Sequence, residues 1–158
     1  MNINILDHLD TNGIILGIKQ KNKKLIIISI IEHLVLKGKI DKKHKSEILK
    51  SVLQREDMGS TAIGSRIAFP HTRINCVKNI IVCIGISKEG VDFDSLDQEP
   101  VNVIALLLSN QKEAGLHLKM LAFLARMLRD KYLVQRLKSV KTEEGVLTLL
   151  NKQQEVVR

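Results

Sequence analysis

Residues 101–108, VNVIALLL, form an almost continuously apolar run. A half-buried strand alternates polar with apolar positions, and a membrane span needs about 20 apolar residues, so a run this short reads as a strand covered on both faces. Residues 79–87, NIIVCIGIS, form a second strand-like run, and an acidic turn region, GVDFDSLDQEP, separates the two. Helical patterns lie before and after this pair. That order predicts an α/β fold: a single domain over residues 1–158, with a central mixed sheet flanked by helices on both sides.

The first helix is expected over residues 23–37. Its LIIISII core is rich in β-branched residues, but Asn22 offers an N-cap and Gly38 a stop. Asp41 is expected to cap a second helix in which Ile48, Leu49, Val52 and Leu53 recur at helical spacing up to Arg55. Residues 12–18 read as a short strand or loop. From Met58 the text becomes MGSTAIGSRIAFPHTR, a loop-rich segment punctuated by Gly59, Gly64 and Pro70. Asn110 and Glu113 have capping-box spacing for a helix running to Lys131, with Leu121, Leu124 and Leu128 on one face. Helices at 132–138 and 143–151, the latter started by Thr142, complete the pattern.

Composition excludes several functions. Aromatic residues are 3% of the chain and tryptophan is absent, which argues against a ring-stacking RNA platform. The formal net charge is +8, concentrated in the first 45 residues, where nine lysines face four carboxylates. Neither lysine cluster contains arginine, the usual source of specific phosphate and base contacts, so a solvated basic surface is expected rather than nucleic-acid binding. The N-terminus MNINILDHLD lacks the basic flank and cleavage site of a secretory signal, and no run spans a bilayer. A cytoplasmic protein without membrane insertion is expected, with Cys76 and Cys83 as reduced, buried thiols in strand-like surroundings.

Two histidines stand out. His71 follows Pro70 in IAFPHTR, on irregular backbone whose φ is partly set by the proline, so its ring can be held toward a partner as a nucleophile or base. A turn histidine without a task fits the same text. His117 shares a stripe with Leu121, Leu124 and Leu128, so it faces the core or a cleft rim. There it is either a satisfied core residue or an anion contact near a helix start. His8, His33 and His44 lack such a setting. Metal-type ligands are scattered, and Asp92, Asp94 and Asp97 lack the calcium-loop glycine and distal glutamate, so no metal is expected. Phosphate-cradling glycine loops and GxSxG are absent, and no cofactor is expected.

In combination, LQREDMGSTAIGSRIAFPHTR at 53–73, GVDFDSLDQEPVNVIALLLS at 90–109 and HLKMLAFLARMLRD at 117–130 resemble the phosphocarrier A domain (EIIA) of fructose/mannitol type in the bacterial phosphoenolpyruvate-dependent sugar phosphotransferase system. The likeness is greatest to its nitrogen-regulatory branch. The resemblance implies that His71 accepts a phosphoryl group through Nε2 and that His117 is its active-site neighbour. It also implies that Arg55, Ser60 and Thr61 belong to the approach to the site, and that Asp92, Phe93, Leu96, Asp97 and Pro100 form a characteristic connection. Members of this branch typically read GNGIAIPHG where this chain reads GSRIAFPHT. Ser65 and Arg66 thus stand for an Asn-Gly pair and Thr72 for a glycine; with Arg73 they are candidate phosphoryl or partner contacts.

The implied donor is an HPr-like phosphocarrier, and the implied output is a regulatory switch acting on an unidentified target protein. A chain without fused B or C domains or membrane spans cannot itself move sugar, which favours regulation over transport. The alternative is an interaction protein that retains the fold but works independently of phosphorylation.

Overall fold

In the computed structural model, which describes residues 2–158, the apolar run is the central strand β5 (Val101–Ser109), buried along its whole length. Side chains alternate across a strand. Val103, Ala105 and Leu107 therefore enter one apolar layer, while Ile104, Leu106 and Leu108 enter the other. Strand β4 (Ile81–Val91) pairs antiparallel with β5, and the short β1 (Ile14–Ile15) pairs parallel with β4. Along the other side of β5 run β2 (Ile67–Ala68) and then β3 (His71–Arg73), both parallel to it. Ile67 lies opposite Val103 and His71 opposite Leu107, so the register continues unbroken across Phe69 and Pro70.

Helices cover both faces of this mixed sheet, as expected. On one side α1 (Lys23–Leu36) and α2 (Lys45–Asp57) bury Ile26, Ile30, Leu34, Ile48 and Val52. On the other, α3 (Ala114–Leu128), α4 (Lys131–Ser139) and α5 (Glu143–Val157) bury Met120, Leu124, Leu133, Leu137 and Leu150. Burying each such side chain contributes roughly 1.5–3 kcal/mol, and the two layers sandwich the sheet.

The isoleucine-rich run is helical because its ends and one face demand it. Asn22 Oδ1 accepts from the Leu25 N–H at 2.9 Å, and Gly38 adopts φ 75° while Lys39 and Ile40 both donate to the Leu34 carbonyl. Capping and burial together override β propensity.

Several boundaries differ from the sequence expectation. Asp41 caps the 3-10 turn Lys42–His44, which runs into α2. Helix α3 begins at Ala114, not at a capping box. Asn110 Oδ1 accepts from Lys112 N–H inside a turn while its amide donates to the Val77 carbonyl, and the Glu113 side chain caps nothing. It ends at Leu128, because Asp130 caps α4 through the Tyr132 and Leu133 N–H groups. Strand β4 continues past a register irregularity to Val91, shortening the acidic connection. Helix α5 extends to Val157, held by buried Gln154, whose Oε1 accepts from Ile5 N–H at 2.8 Å. Cys83 is buried in β4, where burial pushes its thiol up to about 12. Cys76, expected in a strand and buried, instead occupies a turn after β3 and is half-buried.

Candidate functional site

The loop-rich segment carries more regular structure than its glycines suggest, and this is what aims His71. The residue opens β3 rather than a loop, and β5 anchors it from both ends: Leu107 N–H donates to Pro70 O and Ile74 N–H to Ser109 O. Strand alternation places His71 and Arg73 toward α3 and Thr72 toward α2, where its hydroxyl meets Ser51 Oγ at 2.5 Å.

His117 comes from the first turn of α3, its N–H already committed to the Glu113 carbonyl. The two imidazole centroids lie 5.3 Å apart with planes tilted by 55°. They share an open concavity lined by Arg55, Thr72, Arg73, Gln111, Leu118 and Leu121. No carboxylate lines it, so its fixed charge is positive.

Each ring has a defined inner partner. His71 Nδ1 lies 2.7 Å from the Phe69 carbonyl oxygen, which can only accept, so Nδ1 carries the proton and the neutral ring presents a lone pair at Nε2. His117 Nδ1 lies 2.5 Å from the buried Ser109 hydroxyl. No other acceptor serves that hydroxyl among the described residues, so Ser109 donates, and the neutral His117 ring keeps its proton on Nε2. Burial, reinforced by the charges of His71 and Arg73, holds His117 down to about 4. Burial also lowers His71; the Phe69 bond works against that shift and Arg55 with it. Both rings are therefore predominantly neutral near pH 7.

The other candidates divide. Arg55, Thr72 and Arg73 join the histidines; Arg55 and Arg73 donate to the carbonyls of Gly59 and Gln111, which fixes where their charge sits. Ser60 and Thr61 build the support behind Arg55. Ser60 Oγ donates to Phe93 O at 2.7 Å, and Thr61 donates through both N–H and Oγ1 to the Glu56 carboxylate. Ser65 and Arg66 lie outside the concavity, at a tight turn where Arg66 pairs with Glu99 at 3.2 Å.

Sequence reasoning missed two residues. Glu56 is 2% exposed and also meets Lys23, which bridges on to Asp94. Ser109 is the polar end of an apolar strand, eight residues before His117; that placement was the available signal.

A mixed α/β sheet that offers two neutral imidazoles and two guanidinium groups in one concavity defines a domain suited to handling a phosphoryl-sized anion. The family model described as "Phosphoenolpyruvate-dependent sugar phosphotransferase system, EIIA 2" matches residues 7–153, and the chain belongs to this family. A nitrogen regulatory protein of Bradyrhizobium diazoefficiens is 28% identical over 147 residues, covering 92% of this chain and 94% of the relative. The fructose-specific EIIABC component of Bacillus subtilis is 29% identical over 147 residues, 93% of this chain but only 23% of that larger protein. Among solved structures, the nitrogen regulatory protein IIA-Ntr from Neisseria meningitidis superposes with a TM-score of 0.83 at 28% identity, covering 92% of this chain and 98% of that one. The mannitol enzyme IIA of Escherichia coli, in complex with phosphorylated enzyme IIB, gives 0.76 at 25% identity over 91% and 97%. The family and these relatives support a phosphocarrier or regulatory role. No helix among the described residues is long and apolar enough to cross a membrane.

Proposed function

We propose that this chain is a histidine phosphocarrier: Nε2 of His71 accepts a phosphoryl group from the phosphohistidine of an HPr-like donor, and the modified protein acts as a regulatory switch through protein contacts. The observation that carries the reading is the bond from His71 Nδ1–H to Phe69 O, because it leaves the nucleophilic lone pair on Nε2. In an in-line transfer the donor's N–P bond breaks as the Nε2–P bond forms, and the leaving imidazole keeps the electron pair. Charge spreads over three equatorial oxygens. His117 Nε2–H donates to one of them, and Arg55 and Arg73 supply positive potential from fixed positions. The ring of His71 gains positive character on attack, which strengthens its Nδ1–H bond to the Phe69 carbonyl.

The likeness to nitrogen regulatory proteins, two of them matched over more than nine-tenths of their length, supports a regulatory output. The substitutions that motivate phosphorylation-independent binding leave the reacting ring untouched. Ser65 and Arg66 sit at the turn, and the Thr72 hydroxyl is engaged by Ser51. We therefore favour the carrier reading over that alternative.

Incubation with phosphoenolpyruvate, the first general component of the system and its carrier protein is expected to add one acid-labile phosphoryl group, detected by intact mass. His71→Ala abolishes the gain. Folded wild type that never acquires this mass from its cognate carrier overturns the reading.

A further inference from the structure

His44, Glu47 and Cys76 are distributed along the sequence, yet their ligand atoms lie within 4.8 Å of one another. His44 closes the 3-10 turn before α2, and Glu47 follows in the first turn of that helix. Cys76 belongs to the turn leaving β3, pinned by Val77 N–H donating to Ile74 O. His44 Nδ1 and Glu47 Oε2 are 4.0 Å apart. The group borders a concavity walled by Ile40, Ile48 and Val77, on the flank away from the histidine pair.

We propose that His44, Glu47 and Cys76 form a site for a divalent transition metal of zinc type, binding through a ring nitrogen, a carboxylate oxygen and a thiolate, with the fourth position left to water. Tetrahedral zinc with bonds of about 2.0–2.3 Å needs its ligand atoms roughly 3.3–3.7 Å apart. The present spacing, within 4.8 Å for every pair, is wider than that, so binding draws the three side chains together, with the largely exposed Glu47 best placed to adjust. On binding, the Cys76 S–H bond breaks, a sulfur–metal bond forms and the proton passes to solvent; the metal keeps its oxidation state. Burial and the Glu47 charge hold the thiol proton on in the free protein, and a dication between the two groups reverses that preference.

Lys39, Lys78 and Asp41 line the same concavity, with Lys39 already paired to Asp10 at 2.7 Å, so the surroundings are close to balanced in charge and thiolate plus carboxylate neutralise a bound dication. Sulfur and imidazole select zinc or cobalt over magnesium and calcium, which prefer all-oxygen sites. The bound ion would join the start of α2 to the turn leaving the strand that carries His71.

The test uses the full chain in a non-thiol reductant, with Co²⁺ as the spectroscopic probe and Zn²⁺ as competitor. A thiolate-to-cobalt charge-transfer band and tetrahedral d–d bands are expected, displaced by equimolar Zn²⁺. Cys76→Ser removes the charge-transfer band, and His44→Ala and Glu47→Gln each weaken Zn²⁺ binding by about 10–100-fold or more. His8→Ala leaves it unchanged. Because substitution beside a helix start can disturb folding, wild type supplies a second readout: Zn²⁺ protects Cys76 from alkylation, a chelator restores it, and buried Cys83 serves as reference in the same digest. An absent charge-transfer band, a band that survives Cys76→Ser, unprotected Cys76, or equal affinity in all variants means an adventitious ion only and overturns the proposal.

Discussion

The Nδ1–H of His71 donates to the carbonyl oxygen of Phe69 at 2.7 Å, two residues back along the same chain. Across the concavity, the Ser109 hydroxyl donates to Nδ1 of His117. The two inner partners differ in kind, a carbonyl that only accepts and a hydroxyl whose proton has one acceptor, so the neutral rings are prepared oppositely. One faces the concavity with a lone pair and the other with an N–H. Backbone and buried side chains impose this difference before any ligand arrives, which is the preorganisation that electrostatic catalysis requires.

Removing the N–H of His117 isolates its share of the transfer. Under the proposed mechanism, His117→Ala slows phosphoryl transfer to His71 by about 10²-fold while the final stoichiometry stays at one group, because the loss falls on a donor used only in the transition state. Ser109→Ala frees the His117 tautomer and is expected to slow transfer in the same direction, with the ring still in place. Rapid-quench measurement of the first turnover separates rate from extent. An unchanged rate in His117→Ala sinks the assigned role.

The same prepared rings set a pH signature. In the folded protein His117 titrates near 4 instead of 6.5, chiefly through burial, and His71 is shifted the same way. A base held neutral by folding leaves the unfolded chain binding more protons as pH falls, so stability is complete above about 6.5 and declines toward 4. Because His117 lines an open concavity where solvent screens its charge, the decline stays well below the roughly 3 kcal/mol that the full shift would give. Ring ¹⁵N spectra near pH 7 are expected to report the Nδ1–H form of His71 and the Nε2–H form of His117. A His117 ring that is cationic at pH 6 contradicts the account.

Glu56 connects the end of α2 to the segment that leads into the sheet edge. Its carboxylate accepts from Thr61 twice and meets Lys23 at 3.4 Å while almost wholly buried. Glu56→Ala leaves the Thr61 donors unpaired, but Lys23 retains Asp94 at 3.1 Å, so no isolated buried charge results. The expected cost is about 2–3 kcal/mol, with Glu56→Gln milder because its oxygen still accepts. Urea unfolding monitored by circular dichroism measures both. A loss below the scatter of surface variants in Glu56→Ala shows that the network adds nothing to stability.

The scaffold was legible where periodicity and caps were strong. The doubly covered β5 announced itself through residues 101–108, and Asn22 with Gly38 marked α1 despite its isoleucines. Short strands escaped: β2 and β3 are two and three residues long, too brief for an alternation to register, and they exist because β5 offers unpaired backbone. The histidine pair was nominated, but not its inner partners, since the Phe69 carbonyl and the Ser109 hydroxyl are ordinary groups until the fold aims them. Glu56 was hidden for a related reason. Nothing in LQRED distinguishes a buried carboxylate from the exposed one beside it, and only packing against Thr61 and Lys23 does so.

Ser65 and Arg66 show a local conflict that substitution can relieve. Both adopt positive φ, 61° and 63°, in the tight turn where Ile67 N–H reaches back to Gly64 O. A side chain at such φ costs roughly 1–2 kcal/mol per residue, which glycine avoids and asparagine tolerates. Against that, Arg66 pairs with Glu99, but both side chains are substantially exposed, so the pair contributes about 0–1 kcal/mol. Arg66→Gly is therefore expected to raise stability by about 1 kcal/mol, and the double change Ser65→Asn with Arg66→Gly by somewhat more. Arg66→Ala loses the ion pair without relieving the backbone and gains nothing. Urea midpoints at constant slope distinguish the three. Because the turn lies outside the histidine concavity, the transfer rate to His71 stays at the wild-type value in each; a lower midpoint for Arg66→Gly means that the turn is not strained by its side chains.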